Sequence, residues 1–92
     1  MAALSPAEIA HSLTAIPDWQ LEKGALARSF SFTDFREAMS FVNSVASVAE
    51  RAGHHPDIDI RYNKVNLALS SHDAGGITAK DFSLAAEIGK IL

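Results

Sequence analysis

Two alternating runs stand almost back to back past the middle of this chain. Asp57-Ile58-Asp59-Ile60-Arg61-Tyr62 alternates polar with apolar, and Val65-Asn66-Leu67-Ala68-Leu69 returns with the same alternation. A period of two marks a strand covered on one face. The intervening Asn63-Lys64 suits a two-residue turn, because Asn tolerates the left-handed conformation. A hairpin of this kind restricts the chain to antiparallel sheet architectures with an apolar layer over one face.

The flanking segments supply that layer. Ser5-Pro6-Ala7-Glu8 places a capping Ser, a Pro at the first helical position and a Glu three residues after the cap, which predicts a helix to about Thr14. Ile16-Pro17-Asp18 ends it. Residues 19–22 and 25–32 read as a second hairpin turning at Lys23-Gly24, with Leu26, Phe30 and Phe32 on one face and Ala27, Ser29 and Ser31 on the other. Trp19 is expected to anchor the core. Thr33 can cap a long helix through Ala52, stopped by Gly53. Phe35, Ala38, Met39, Val42, Val45, Ala46 and Ala49 recur at helical spacing and are expected to face the core. Phe41 and Val48 fall outside that stripe and hint at packing between subunits. Thr78 with Asp81 predicts a capping box that opens a last helix through Ile91. The order α-β-β-α-β-β-α predicts an α+β domain over residues 1–92, a four-stranded antiparallel sheet with three helices on one face.

With 92 residues the chain fits one small domain, and a hydrophobic content of 48% is that of a folded protein. A net charge of −3 without a basic stripe argues against direct nucleic-acid binding. The chain has no cysteine, hence no thiolate nucleophile and no disulfide framework. The first residues lack the basic and apolar segments of a signal peptide, and no apolar run reaches membrane-spanning length. A soluble cytoplasmic protein is expected.

Chemistry concentrates in Glu50-Arg-Ala-Gly-His54-His55-Pro56, followed by Tyr62, His72 and Asp81. Imidazole is the side chain whose ordinary titration falls between pH 5 and 8, so such a cluster suits proton transfer. If Asn63-Lys64 is the turn, continuing the register sets His55 opposite His72, with His54 adjacent and Glu50 one helical turn earlier. The bland alternative makes His54-His55-Pro56 a polar connection, His72 a loop residue, Tyr62 an ordinary strand aromatic and Asp81 a helix cap. A metal site is a further alternative, although adjacent histidines rarely turn both rings to one ion and there is no His-Glu-x-x-His helix. Metal-free acid–base chemistry is what these residues support best. His11 lies on the exposed side of the first helix and gains no role.

The pattern Glu50-x3-His54-His55-Pro56-x5-Tyr62-x9-His72-x8-Asp81 resembles the signature of the pterin-4a-carbinolamine dehydratase family. Trp19, Phe30-x-Phe32, Asp34-Phe35 and Tyr62-Asn-Lys-Val65 extend the likeness over nearly the whole chain. The resemblance implies the α+β fold read above. It also implies loss of water from a 4a-hydroxytetrahydropterin, which recycles the cofactor of aromatic amino acid hydroxylases. On it, His54 and His72 form the acid–base pair and His55 orients the pterin. Glu50, Pro56, Tyr62, Lys80 and Asp81 shape or support the substrate site. No metal or organic cofactor is implied; a homodimer or homotetramer is, and a hydroxylase as metabolic partner. An interaction module, or a pterin-binding or assembly role without turnover, is the alternative. The chain departs from animal relatives at Gly53, where they carry an acidic residue, and at Lys80, where they carry Arg. Lys lacks the planar guanidinium fork. Ile58 replaces an aromatic.

Overall fold

A computed structural model describes residues 2–92. It contains α1 (Pro6–Leu13), β1 (Gln20–Glu22), β2 (Ala25–Ser31), α2 (Phe35–Ala52), β3 (Asp57–Arg61), β4 (Lys64–Leu69), a 3-10 turn over His72–Ala74, and α3 (Ala79–Gly89). The four strands form one antiparallel sheet in the order β1-β2-β4-β3. Three helices and four strands in the order α-β-β-α-β-β-α are the architecture predicted from the alternating runs and caps.

The core lies between the sheet and the helices. Leu26 and Phe30 of β2 and Val65, Leu67 and Leu69 of β4 are buried on the helix-covered face, while Ser29 and Ser31 face outward. Against them pack Ala38, Phe41, Val42, Val45, Val48 and Ala49 of α2, a stripe with the three- and four-residue spacing of one helix face. Phe41 and Val48 therefore belong to this chain's own core. Phe35, 49% exposed, and Ala46 point outward instead. The true stripe is rotated from the expected one because Phe41 lies against two strand aromatics, with ring centroids 4.6 Å from Phe30 and 5.1 Å from Phe32. Helix-face packing against a second subunit loses that support. Trp19 anchors the core as expected, 4% exposed and edge-on to Phe30 at 6.4 Å.

Local chemistry sets the element ends. Both predicted capping boxes form, Ser5 with Glu8 and Thr78 with Asp81. The N-cap of α2 is Asp34 rather than Thr33: the Glu37 N–H donates to Asp34 Oδ1 at 2.9 Å, and the Thr33 N–H donates to Glu37 Oε1 at 3.0 Å. The last helix stops at Gly89, short of Ile91. At the end of α2, Gly53 adopts φ 65°, ψ 28°, the left-handed conformation that terminates helices and disfavours side chains. That reversal turns His54 back toward the start of α3.

The β3–β4 turn differs from expectation. Arg61 pairs with Lys64, so the turn residues are Tyr62 and Asn63, and Ile60 lies opposite Val65. Asn63 sets this register, because its side-chain amide donates to the Phe32 carbonyl at 2.8 Å while its own carbonyl accepts from the Phe32 N–H at 2.9 Å. Tyr62 takes φ 54° to allow it. The register moves by two residues, an even number, so each side chain keeps its face. The extrapolated pairing of His55 with His72 is lost: the ladder ends at Asp57–Ala68, and Ser71 bridges Gly76 beyond it.

Candidate active site

Three segments converge where α2 ends, β4 ends and α3 begins. The turn at Gly53 delivers His54, whose side chain is 14% exposed. Its Nε2 lies 2.5 Å from Oδ1 of Asp81, a fully buried carboxylate. Asp81 occupies the third helical position of α3, so the box that starts the helix also fixes this carboxylate. Its Oδ2 accepts from the Thr78 backbone N–H at 2.8 Å and from the Ser71 hydroxyl at 2.9 Å. The Ser71 and Thr78 hydroxyls are 2.8 Å apart, and Thr78 Oγ1 accepts from the Lys80 N–H at 3.2 Å. Among the described residues no buried side-chain polar atom lacks a partner. A polar group desolvated without a partner costs about 1–3 kcal/mol, so the completed network matters for folding.

Beside this network lies a polar cleft of about 160 Å³, lined by Gly53, His54, Ser71, Asp73, Thr78 and Lys80. Larger clefts of about 310 and 370 Å³ lie over the open sheet face and between α1 and α3. Neither sets a histidine against a buried carboxylate, and a cleft of about 220 Å³ bordered by Ala52, Ser83 and Glu87 shares His54 and Lys80 with the smaller one.

The other expected residues fall around it unevenly. Glu50, in the last turn of α2, supports His55 rather than His54, with Oε2 2.5 Å from His55 Nε2. That pair is exposed, at 65% and 74% of the two side chains. Pro56 is half-buried and leads into β3. His72 is exposed on the 3-10 turn, between Ser71 and Asp73 of the cleft wall. Lys80 reaches the cleft from the first turn of α3. Tyr62 is not brought in: it sits at the opposite end of β3, five residues from Asp57 and roughly 17 Å away at strand rise. Among the described residues no group of three or more His, Cys, Asp or Glu side chains is placed to hold a metal ion. Sequence reasoning missed Ser71; its place just before His72, at the end of an alternating strand, was the available signal.

The fold and this constellation define an α+β protein with a buried carboxylate–imidazole pair at a polar cleft. Residues 2–91 match the family described as pterin 4 alpha carbinolamine dehydratase. The chain belongs to that family. It is 58% identical over 92 residues to a Chloroflexus aurantiacus protein provisionally named pterin-4-alpha-carbinolamine dehydratase, covering 100% of this chain and 99% of the relative. A relative from Acidobacterium capsulatum with the same provisional name is 55% identical over 92 residues, covering 100% of both. The crystal structure of a transcriptional coactivator/pterin dehydratase from Brucella melitensis superposes with a TM-score of 0.91 at 34% identity, covering 97% of each chain. A pterin dehydratase-like protein identified as a RuBisCO assembly factor in the alpha-carboxysome shares the fold at 23% identity and a TM-score of 0.64, covering 79% of this chain and 84% of that one.

Proposed function

We propose that this protein is a hydro-lyase that dehydrates 4a-hydroxytetrahydropterin by histidine acid–base catalysis. The observation that carries the reading is the His54–Asp81 pair at the edge of the polar cleft, in a chain of this family. One imidazole takes the proton from N5 while the other protonates the departing 4a-hydroxyl. The C4a–O bond breaks, a C4a=N5 double bond forms, and the products are the quinonoid dihydropterin and water. His54 and His72 are the proton-transfer pair. His55, backed by Glu50, holds the pterin, with Pro56 shaping that wall. Lys80 supplies a positive charge at the cleft without the planar grip of a guanidinium. Asp81 acts through His54. Tyr62, at the other end of β3, is a turn residue and takes no part in this chemistry. Positioned proton transfer contributes about 10²–10⁴-fold.

The reading places the protein in the cytoplasm as a homodimer or homotetramer, regenerating the tetrahydropterin of an aromatic amino acid hydroxylase without metal or organic cofactor. A second reading, an interaction module, draws on the Brucella melitensis neighbour, whose description pairs a coactivator with a pterin dehydratase. Freshly prepared 4a-hydroxytetrahydropterin, followed by ultraviolet absorbance with chelator present, separates the two. Chelator-resistant acceleration by the wild-type protein is expected. A folded protein that leaves the spontaneous rate unchanged contradicts the dehydratase and favours the interaction module.

A further inference from the structure

We infer that Ser71 is a positioning residue, whose hydroxyl aims the Asp81 carboxylate so that His54 is held as its Nε2–H tautomer, with Nδ1 left as the ring's proton acceptor.

The donors and acceptors allow one order of hydrogens through this network. Asp81 Oδ2 already accepts from the Thr78 N–H, and Ser71 Oγ lies 2.9 Å from it in the buried interior. A carboxylate oxygen only accepts, so Ser71 donates its single hydrogen there. Ser71 Oγ must then be the acceptor in its 2.8 Å contact with Thr78 Oγ1, which makes the Thr78 hydroxyl the donor. Thr78 Oγ1 in turn accepts from the Lys80 N–H. Every hydrogen points toward Asp81, and bonds aligned in this sense polarise one another. With Oδ2 taken by two donors, Oδ1 is the free acceptor facing His54 Nε2, and because a carboxylate only accepts, the inferred donor is an Nε2–H. A neutral imidazole with Nε2 protonated has its lone pair at Nδ1.

Ser71 is suited to this task by place. It follows β4, is 4% exposed, and forms the Ser71–Gly76 bridge that closes the loop carrying His72. One residue therefore ties the loop with one expected proton-transfer histidine to the carboxylate that fixes the other. Without the Ser71 hydroxyl, Oδ2 keeps the Thr78 N–H alone. The carboxylate can then rotate, and either ring nitrogen can carry the proton.

The kinetic consequence rests on the proposed dehydratase reading; the tautomer does not. Nitrogen-15 NMR of uniformly labelled, substrate-free protein reads the His54 tautomer directly. Wild type should show protonated Nε2 and bare Nδ1, and Ser71→Ala should lose that single signature. Ser71→Thr should restore it, because the extended backbone there (φ −108°, ψ 96°) accepts a β-branched residue. Ser71→Cys, nearly isosteric with a weak donor, replaces Ser71→Ala if the latter does not fold. In the dehydration assay, kcat should fall roughly tenfold in Ser71→Ala with KM unchanged, and recover in Ser71→Thr. An Nε2–H tautomer that persists in Ser71→Ala overturns the inference whatever the activity. A locked tautomer released by Ser71→Ala in a protein without dehydratase activity upholds the positioning role and contradicts only the proposed reaction.

Discussion

His54 and His55 are neighbours in sequence and each has its Nε2 2.5 Å from a carboxylate, yet the two pairs differ in almost every physical respect. His54 is 14% exposed against an Asp81 fully withdrawn from water; His55 and Glu50 are 65% and 74% exposed. Asp81 is clamped by a helix start and a serine hydroxyl, whereas Glu50 is a flexible side chain on the last turn of α2. In water an exposed pair is screened and contributes about 0–1 kcal/mol. In the interior the same contact is strengthened by the low dielectric and made obligatory by the cost of leaving it unmade. Equal distances therefore mean different roles. The inner histidine is held in one place, as the proposed proton transfer requires, and the outer one is free to move.

Removing the inner anchor should have the largest effect. Asp81→Ala deletes the box of α3 and strands the Ser71 hydroxyl and Thr78 N–H, for a loss on the order of 3 kcal/mol in urea unfolding. A loss below about 1 kcal/mol would show that the buried pair differs little from the exposed one. Tyr62→Asn tests a place remote from both histidines. A tyrosine at φ 54° carries strain of order 1 kcal/mol, and Asn tolerates that conformation, so the unfolding midpoint should rise while dehydration is unchanged. A drop in activity would bring Tyr62 back into the site. Glu50→Gln should cost no more than about 0.5 kcal/mol of stability, since its contact is solvated; a larger loss would erase the contrast.

The smallest effect concerns another exposed carboxylate. Hydrogen bonds from the Asn66 amide, and then from Arg61, hold Asp59 below the usual carboxylate range. A group whose titration is lowered by folding stabilises the native state above its unfolded value, and that contribution fades as pH falls through the folded one. Asn66→Ala should therefore lower stability slightly at neutral pH, where the contribution is fully present, and leave it unchanged below the folded titration midpoint, which flattens the acid limb. Carbon-13 NMR of the Asp59 carboxyl should show its midpoint moving upward; an unmoved midpoint would contradict the assignment of cause.

Much of the fold was legible because its signals are local. The Ser5–Glu8 and Thr78–Asp81 boxes and the alternation of β3 and β4 each depend on residues within a few positions. The hairpin register was not, because the Asn63 side chain answers to the Phe32 carbonyl, 31 residues away. The α2 stripe was misjudged for a similar reason: Phe30 and Phe32 decide which way Phe41 faces. At the site, residue types were readable and partnerships were not. Glu50 stood closest to His54 by helical spacing, but the left-handed turn at Gly53 swings His54 to Asp81, 27 residues on, and leaves Glu50 to His55. Ser71 escaped notice because a serine reads as polar until its burial is known.

The most direct test of the contrast is a side-by-side determination of kcat and KM for dehydration by His54→Ala and His55→Ala. The buried, anchored histidine should govern chemistry, so His54→Ala should lower kcat by about 10²–10⁴-fold with little change in KM. His55→Ala should mainly raise KM. A collapse of kcat in His55→Ala with His54→Ala near wild type would contradict the account.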